Sequence, residues 1–161
     1  VSNGPSRAPF NAEHAAILAE FNPAVVSFHF GLPAPELLAR VKATGAKVFA
    51  SATTVAEAKW LARHGADAII AQGLEAGGHR GHFLNQDLSL QQGTFTLLPQ
   101  IVAAVDLPII AAGGIVDGKG IKAALALGAS AVQMGTAFLC CHEATTSPLH
   151  RAALQVAALT E

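Results

Sequence analysis

The stretch Ala68-Ile69-Ile70-Ala71-Gln72-Gly73 decides the fold. Two β-branched residues stand between alanines, with no charge and no alternation of apolar and polar side chains. A strand of that kind is buried on both faces, as in a parallel sheet covered by helices. Upstream lies a helix-like segment, residues 54–64, where Thr54 and Glu57 have capping-box spacing and Gly65 is the stop. Working outward, strand-length apolar runs recur at residues 24–30, 47–51, 107–112 and 129–134. Further helix candidates lie at 35–41, 94–105, 118–127 and 147–159. No Asn-Gly hairpin turn links consecutive runs. Alternation of strand and helix predicts an α/β fold with a parallel sheet and crossover helices.

The spacing sharpens this reading. Strand ends fall near Phe30, Ser51, Gln72, Ala112 and Gln133, at intervals of 21, 21, 40 and 21 residues. The long interval holds an extra connection, residues 73–93, at the edge where parallel α/β folds bind ligands. Five such units make either an open, doubly wound sheet or part of a (β/α)8 barrel. With 161 residues the chain is some ninety short of the about 250 that a complete barrel uses.

Composition bounds the function. The chain is 52% hydrophobic and 13% charged with a net charge of -1, which argues against disorder and against nucleic acid as the main partner. No apolar stretch approaches the roughly 20 residues of a membrane span. Residues 1–5 lack the basic and apolar pattern of a signal peptide and contain no Met. Cys140 and Cys141 are adjacent, which is no disulfide framework; they are expected to be small buried hydrophobes. The expectation is a cytoplasmic domain that is compatible with an oligomer. The seven histidines show no metal-ligand spacing, so no metal is expected.

Three segments at strand ends carry the chemistry. In Gln72-Gly73-Leu74-Glu75-Ala76-Gly77-Gly78-His79-Arg80-Gly81-His82, Gly77 and Gly78 let the backbone approach a ligand, and His79 stands at the strand edge as a candidate base. His82 reads as structural or surface. In Ala111-Ala112-Gly113-Gly114-Ile115, a glycine pair ends a buried strand and offers backbone N–H groups to a phosphate. Gln133-Met134-Gly135-Thr136 repeats that arrangement one unit later, as loops after the last two barrel strands often do. No Walker loop or G-x-G-x-x-G fingerprint is present. Ser51 and Thr53 are candidate hydrogen-bond donors to a ligand, with Thr54 the helix cap. His29 either faces a pocket or is a buried, satisfied histidine. His14, His64 and His150 lie in helix-like segments and read as solvated.

Taken in order, these motifs resemble the nitronate monooxygenase family, FMN enzymes on the TIM (β/α)8 barrel. The carriers are Gln72-Gly73-x-Glu75-Ala76-Gly77-Gly78-His79-Arg80-Gly81, Ala111 to Ile115, and Gln133 to Phe138, with Ser27-Phe28-His29-Phe30-Gly31-Leu32-Pro33 upstream. The resemblance implies that His79 is the catalytic histidine, taking the α-carbon proton of a nitroalkane or holding the nitro group of a nitronate. It implies that FMN is bound by Gln72, Gly77, Gly78, Gly113, Gly114, Gln133, Met134, Gly135 and Thr136. O2 is the electron acceptor, and a carbonyl compound and nitrite are the products. The cofactor does the electron chemistry and the protein supplies orientation and a base.

The five strands correspond to strands four to eight of that barrel, so residues 1–161 are expected to be one partial FMN-binding domain. The family's earlier strands, with an Ala-Pro-Met-type segment and an Asn at the flavin, have no counterpart here, nor do segments beyond the eighth strand. The expectation is a truncated piece whose open barrel edges weaken folding and FMN retention. The alternatives are an FMN-dependent enoyl-acyl-carrier-protein reductase, which shares the Glu-Ala-Gly-Gly-His loop, and an inert or non-catalytic flavin- or phosphate-binding module. Arg80, next to the histidine, looks more like the nitronate enzymes.

Overall fold

Every residue of the strand Ala68–Gln72 is buried, and the sheet is built around it. The computed structural model describes residues 9–157. Its elements run α1 (Ala12–Phe21), β1 (Val25–Phe28), α2 (Pro35–Ala43), β2 (Lys47–Ala52), α3 (Val55–His64), β3 (Ala68–Gln72), α4 (Thr94–Val102), β4 (Ile109–Ala112), α5 (Gly118–Ala126), β5 (Ala131–Gln133) and α6 (Pro148–Ala157). Short 3-10 turns lie at Leu88–Leu90 and Thr136–Cys140. The reading of residues 1–5, and the last two residues of the helix expected at 147–159, lie outside the described residues.

All strand pairs are parallel, and the order across the sheet is β1-β2-β3-β4-β5. Each unit adds its strand beside the last, as staves are added to a barrel. A doubly wound sheet needs a reversal of strand order, which this sheet lacks. The fold is therefore α/β, with five consecutive units of barrel type.

Register separates the two faces of the sheet. Val26 pairs with Val48, Phe28 with Ala50, Ala50 with Ile69, Ala52 with Ala71, Ile69 with Ile109, and Ala71 with Ala111. All of these face the helices or border that core. Small residues dominate there: Ala50, Ala52, Ala71 and Ala111 let the helices approach closely, and Leu61 of α3 with Leu97, Leu98 and Ile101 of α4 fill the space with essentially no exposure. The opposite face carries Ser27, Ser51, Ile70, Gln72, Ala112 and Gln133, and polar groups gather at its carboxyl end. Packing sorts the strands by position: β2, β3 and β4 are mostly buried, while β1 and β5 are largely exposed.

Several boundaries differ from expectation. The first strand stops at Phe28 because Phe30 (φ 68°) and Gly31 (φ 87°) turn the chain out of the sheet. Helix α1 contains His14, which the sequence places in a helix-like segment without bounds: Asn11 caps it and His14 completes a capping box, but its apolar residues form no clear stripe. Cys140 is exposed and Cys141 half-buried, contrary to the expected burial, because they follow the edge strand β5, where little packs against them. Among the described residues, no helix is long and apolar enough to cross a membrane.

Leu98→Ala opens a cavity between α4 and the sheet. It should cost about 2–5 kcal/mol, read as a lowered unfolding midpoint in urea, whereas Leu98→Met should cost under about 1.5 kcal/mol.

Candidate active site

The connection from β3 to α4 looks in sequence like a free Gly-rich loop; in the structure it is tethered along its length. At its root, the buried Gln72 side chain uses both ends of its amide. Nε2 donates to the His79 carbonyl (3.0 Å) and Oε1 accepts from the Gly81 N–H (2.7 Å). His29 Nε2 lies 3.0 Å from the same carbonyl. A carbonyl only accepts, so this nitrogen carries the proton. In the neutral ring Nδ1 is then an acceptor, matched by the Ser51 hydroxyl at 3.0 Å. The His79 carbonyl thus has two donors, while no hydrogen bond among the described residues engages the His79 ring. That ring sits edge-to-face with Phe30, with centroids 6.1 Å apart.

Arg80 closes the loop on itself. Its guanidinium donates to the carbonyls of Gly73 and Leu74. It is therefore occupied by the chain's own backbone.

Glu57 fixes the middle of the connection. It is 1% exposed, and its carboxylate accepts from four donors: Thr53 N (2.8 Å), Thr53 Oγ1 (2.8 Å), Phe83 N (2.6 Å) and Leu84 N (3.2 Å). A buried carboxylate is tolerated only with such saturation. The expected capping box is accordingly half right. Thr54 does cap α3, accepting from Glu57 N, but the Glu57 side chain turns away to the residue before the cap and to the long connection. Thr53 is corrected as well: fully buried and bound by Glu57 and by Gln91 Nε2 (2.9 Å), it has no hydroxyl to offer a ligand.

The polar groups converge on one cavity of about 1000 Å³ at the carboxyl edge of the sheet. Gln72, Gly77, Gly78 and His79 line it from the β3 connection, Gly113 and Gly114 from the turn after β4, and Gln133, Met134, Gly135 and Thr136 from β5 onward. Gln72, Ala112 and Gln133 form one rung across three strands. His29 and Ser51 also line the cavity, so the exposed His29 both faces it and is satisfied there.

The glycine turns are required by geometry. Gly113 has φ +121°, and a Cβ there would stand 2.7 Å from Thr94 Oγ1 and 2.8 Å from Ala76 N. Gly114 has φ +65°. A Cβ on Gly77 would come 3.0 Å from Thr136 Oγ1, so the β3 and β5 loops nearly touch across the site. Among the described residues no Lys or Arg lines the cavity, and Glu75 is the carboxylate on its wall. An anion here would be held by backbone N–H groups.

Glu75 sits where three segments meet. Partial burial pushes its carboxyl up, but hydrogen bonds from its own backbone and from Thr94, with the Arg80 charge, outweigh this and hold it below the ordinary range. Neither Glu57 nor Thr94 was picked out in sequence as a tether of the site. Glu57 stood at the capping-box position, which gave its burial another explanation; an acidic residue inside an Ala/Gly motif was the available sign for Glu75.

A cavity at the carboxyl ends of sequentially ordered parallel strands, rimmed by glycine turns and a histidine, is the arrangement of the (β/α)-barrel class. The structure is similar to a nitroalkane oxidase from Streptomyces ansochromogenes, with a TM-score of 0.81 and 45% identity over 87% of this chain and 41% of that one. It is also similar to FabK from Thermotoga maritima, with a TM-score of 0.74 and 37% identity over 91% of this chain and 44% of that one. Residues 7–161 match the family model for nitronate monooxygenase, and the chain belongs to that family. A curated nitronate monooxygenase from Paraburkholderia phytofirmans is 50% identical over 139 residues, 86% of this chain; the chain spans 38% of that relative's length.

Gly113→Ala should be strained both by its φ and by the Thr94 contact, and should lower the thermal midpoint by the equivalent of about 1–3 kcal/mol. Gly118→Ala, with nothing within 4 Å of the added carbon, is the control and should leave the midpoint unchanged or raise it slightly.

Proposed function

We propose that these residues form the FMN-binding part of a barrel that oxidises alkyl nitronates and nitroalkanes with O2, giving a carbonyl compound and nitrite. The observation that carries this reading is the state of His79. Its backbone is clamped by Gln72 and His29, and its imidazole stands at the cavity wall with no hydrogen bond among the described residues.

The residues present fit a phosphate-bearing flavin. Two glycines of positive φ at residues 113–114 bare their backbone, and Gly135 and Thr136 lie across the cavity from Gly77. Gly113, Gly114, Gly135 and Thr136 would hold the phosphate. Gln72, Gly77, Gly78, Gln133 and Met134 would line the rest of the flavin. Bound FMN would supply the electron transfer from nitronate to O2.

The protein's own part is a proton and an orientation. The His79 imidazole takes the proton from the α-carbon of a neutral nitroalkane, or donates a hydrogen bond to the nitro oxygen of a preformed nitronate. Fixing the carbonyl rather than the ring holds the base in place while leaving both nitrogens for chemistry. Arg80 does not line the cavity, and its donors are engaged by the Gly73 and Leu74 carbonyls. Its contribution is to loop shape, not to contact with substrate.

His79→Asn keeps the clamped backbone and removes the base. Oxygen uptake and nitrite release with a neutral nitroalkane should fall about 10²–10⁴-fold, with a smaller loss on preformed nitronate and unchanged FMN affinity. Undiminished turnover of the neutral substrate would remove His79 from the chemistry. NADH-driven flavin bleaching with a crotonyl thioester, without nitronate-dependent oxygen uptake, would replace the reading with the reductase.

A further inference from the structure

Helix α4 begins without a cap of its own. Its N-cap residue is Gly93, which has no side chain to offer. The missing acceptor comes from Glu75, nineteen residues earlier: its Oε2 accepts from Thr94 N at 2.8 Å and from Thr94 Oγ1 at 2.9 Å. A carboxylate at that position also faces the positive end of the helix.

Thr94 extends the tie. It is 1% exposed, and its single hydroxyl hydrogen is shared among three acceptors: Glu75 Oε2, the Gly113 carbonyl at 2.9 Å and the Ala112 carbonyl at 3.3 Å. The glycines around this point are sterically committed to it. A Cβ on Gly93 would stand 2.9 Å from Glu75 Oε1, one on Gly114 would stand 3.1 Å from the Glu75 Cβ, and one on Gly73 would collide with Thr94. Three segments therefore meet at one carboxylate: the root of the His79 loop, the start of α4, and the glycine turn after β4.

We infer that Glu75 is a positioning residue that sets the spacing between the His79 loop and the Gly113–Gly114 turn, so that a phosphate-bearing ligand held by that turn is registered against His79. Glu75 does this as a hydrogen-bond acceptor through Thr94, not by touching the reacting atoms. Its benefit to ligand binding rests on the FMN reading above; the coupling between the two segments does not.

The test has two arms and three variants: Glu75→Ala, Glu75→Gln and Thr94→Val. In the ligand-free protein, hydrogen exchange is followed at the amides of residues 76–81, 94 and 113–114. Glu75→Ala and Thr94→Val should speed exchange at all three places together by about tenfold, with β3 unaffected. Glu75→Gln, whose amide oxygen still accepts from Thr94 N–H, should stay within about threefold of wild type. Faster exchange confined to residues 74–76, with 113–114 unmoved, would overturn the coupling.

In the second arm, FMN and riboflavin are titrated separately. Glu75→Ala should weaken FMN about ten- to a hundredfold, the scale of lost charge-assisted hydrogen bonds, and riboflavin, which lacks the phosphate, by no more than about threefold. Equal loss for both ligands, or none for FMN, would overturn the registration role. Failure of the wild-type protein to bind either flavin would sink the FMN reading and with it the registration role, while the exchange arm still decides the coupling.

Discussion

The geometry of the site hangs on one side-chain amide. Gln72 ends the most buried strand of the sheet and projects from the face opposite the helices, where its two polar atoms need partners. Both are found in the backbone of the chain that follows, at His79 and Gly81. A primary amide is suited to this, since it alone among the neutral side chains offers a donor and an acceptor side by side. Once those bonds form, the loop must fold back over the end of β3. The His79 carbonyl then comes within reach of His29, and Gly81 packs so tightly on the His29 ring that a Cβ there would stand 2.5 Å from Cε1. The glycine at 81 follows from the clasp rather than from any need for flexibility.

The same logic governs charge. The connection after β3 brings a carboxylate and a guanidinium close together beside the cavity, and a second carboxylate, Glu57, lies entirely out of solvent beneath it. None of these groups is spent on an exposed ion pair. Glu57 is neutralised by four N–H and O–H dipoles, Arg80 by two carbonyls, and Glu75 mainly by Thr94. Backbone dipoles do the compensating, so each charged group also fixes a segment of chain. Among the described residues the cavity has no cationic side chain, and glycine N–H groups are what remains to meet an anion.

What the sequence disclosed and what it hid divide along physical lines. The strand 68–72 was legible because unbroken burial leaves an unbroken apolar run. The long connection, 73–93, was legible because regular βα units make an irregular one stand out. The glycines at 77–78 and 113–114 advertised backbone approach, and they do line one cavity with His79, Gln133 and Thr136. Glu57 was misread because a capping-box glutamate and a buried tether occupy the same sequence position; only the third dimension shows that Phe83 and Leu84 come down on it. His29 was undecidable, since facing a pocket and being satisfied seemed exclusive. Ser51 and the His79 carbonyl satisfy it at the cavity wall, where it is exposed and not buried. Whether the sheet was doubly wound or barrel-like depended on strand order, a non-local property that no periodicity encodes.

A Gly-Gly-His segment at a cavity invites description as a mobile lid, and the tethers argue against it. Movement of His79 as a lid would break the Gln72 clasp and the His29 bond together, leaving the buried donor and acceptor of Gln72 without partners. Opening further along would strip Glu57 of two of its four donors while it stays buried, a heavier cost still. The low-energy motion left to the segment is rotation of the His79 ring against Phe30. In the role proposed for His79, a ring that turns on a fixed backbone would need little reorganisation to reach a carbon-bound proton, its reach set by the clasp beneath it rather than by the glycines beside it. Gly77 is then clearance for Thr136, and Gly78, at φ +79°, is where the backbone takes a conformation that favours glycine; neither is a hinge.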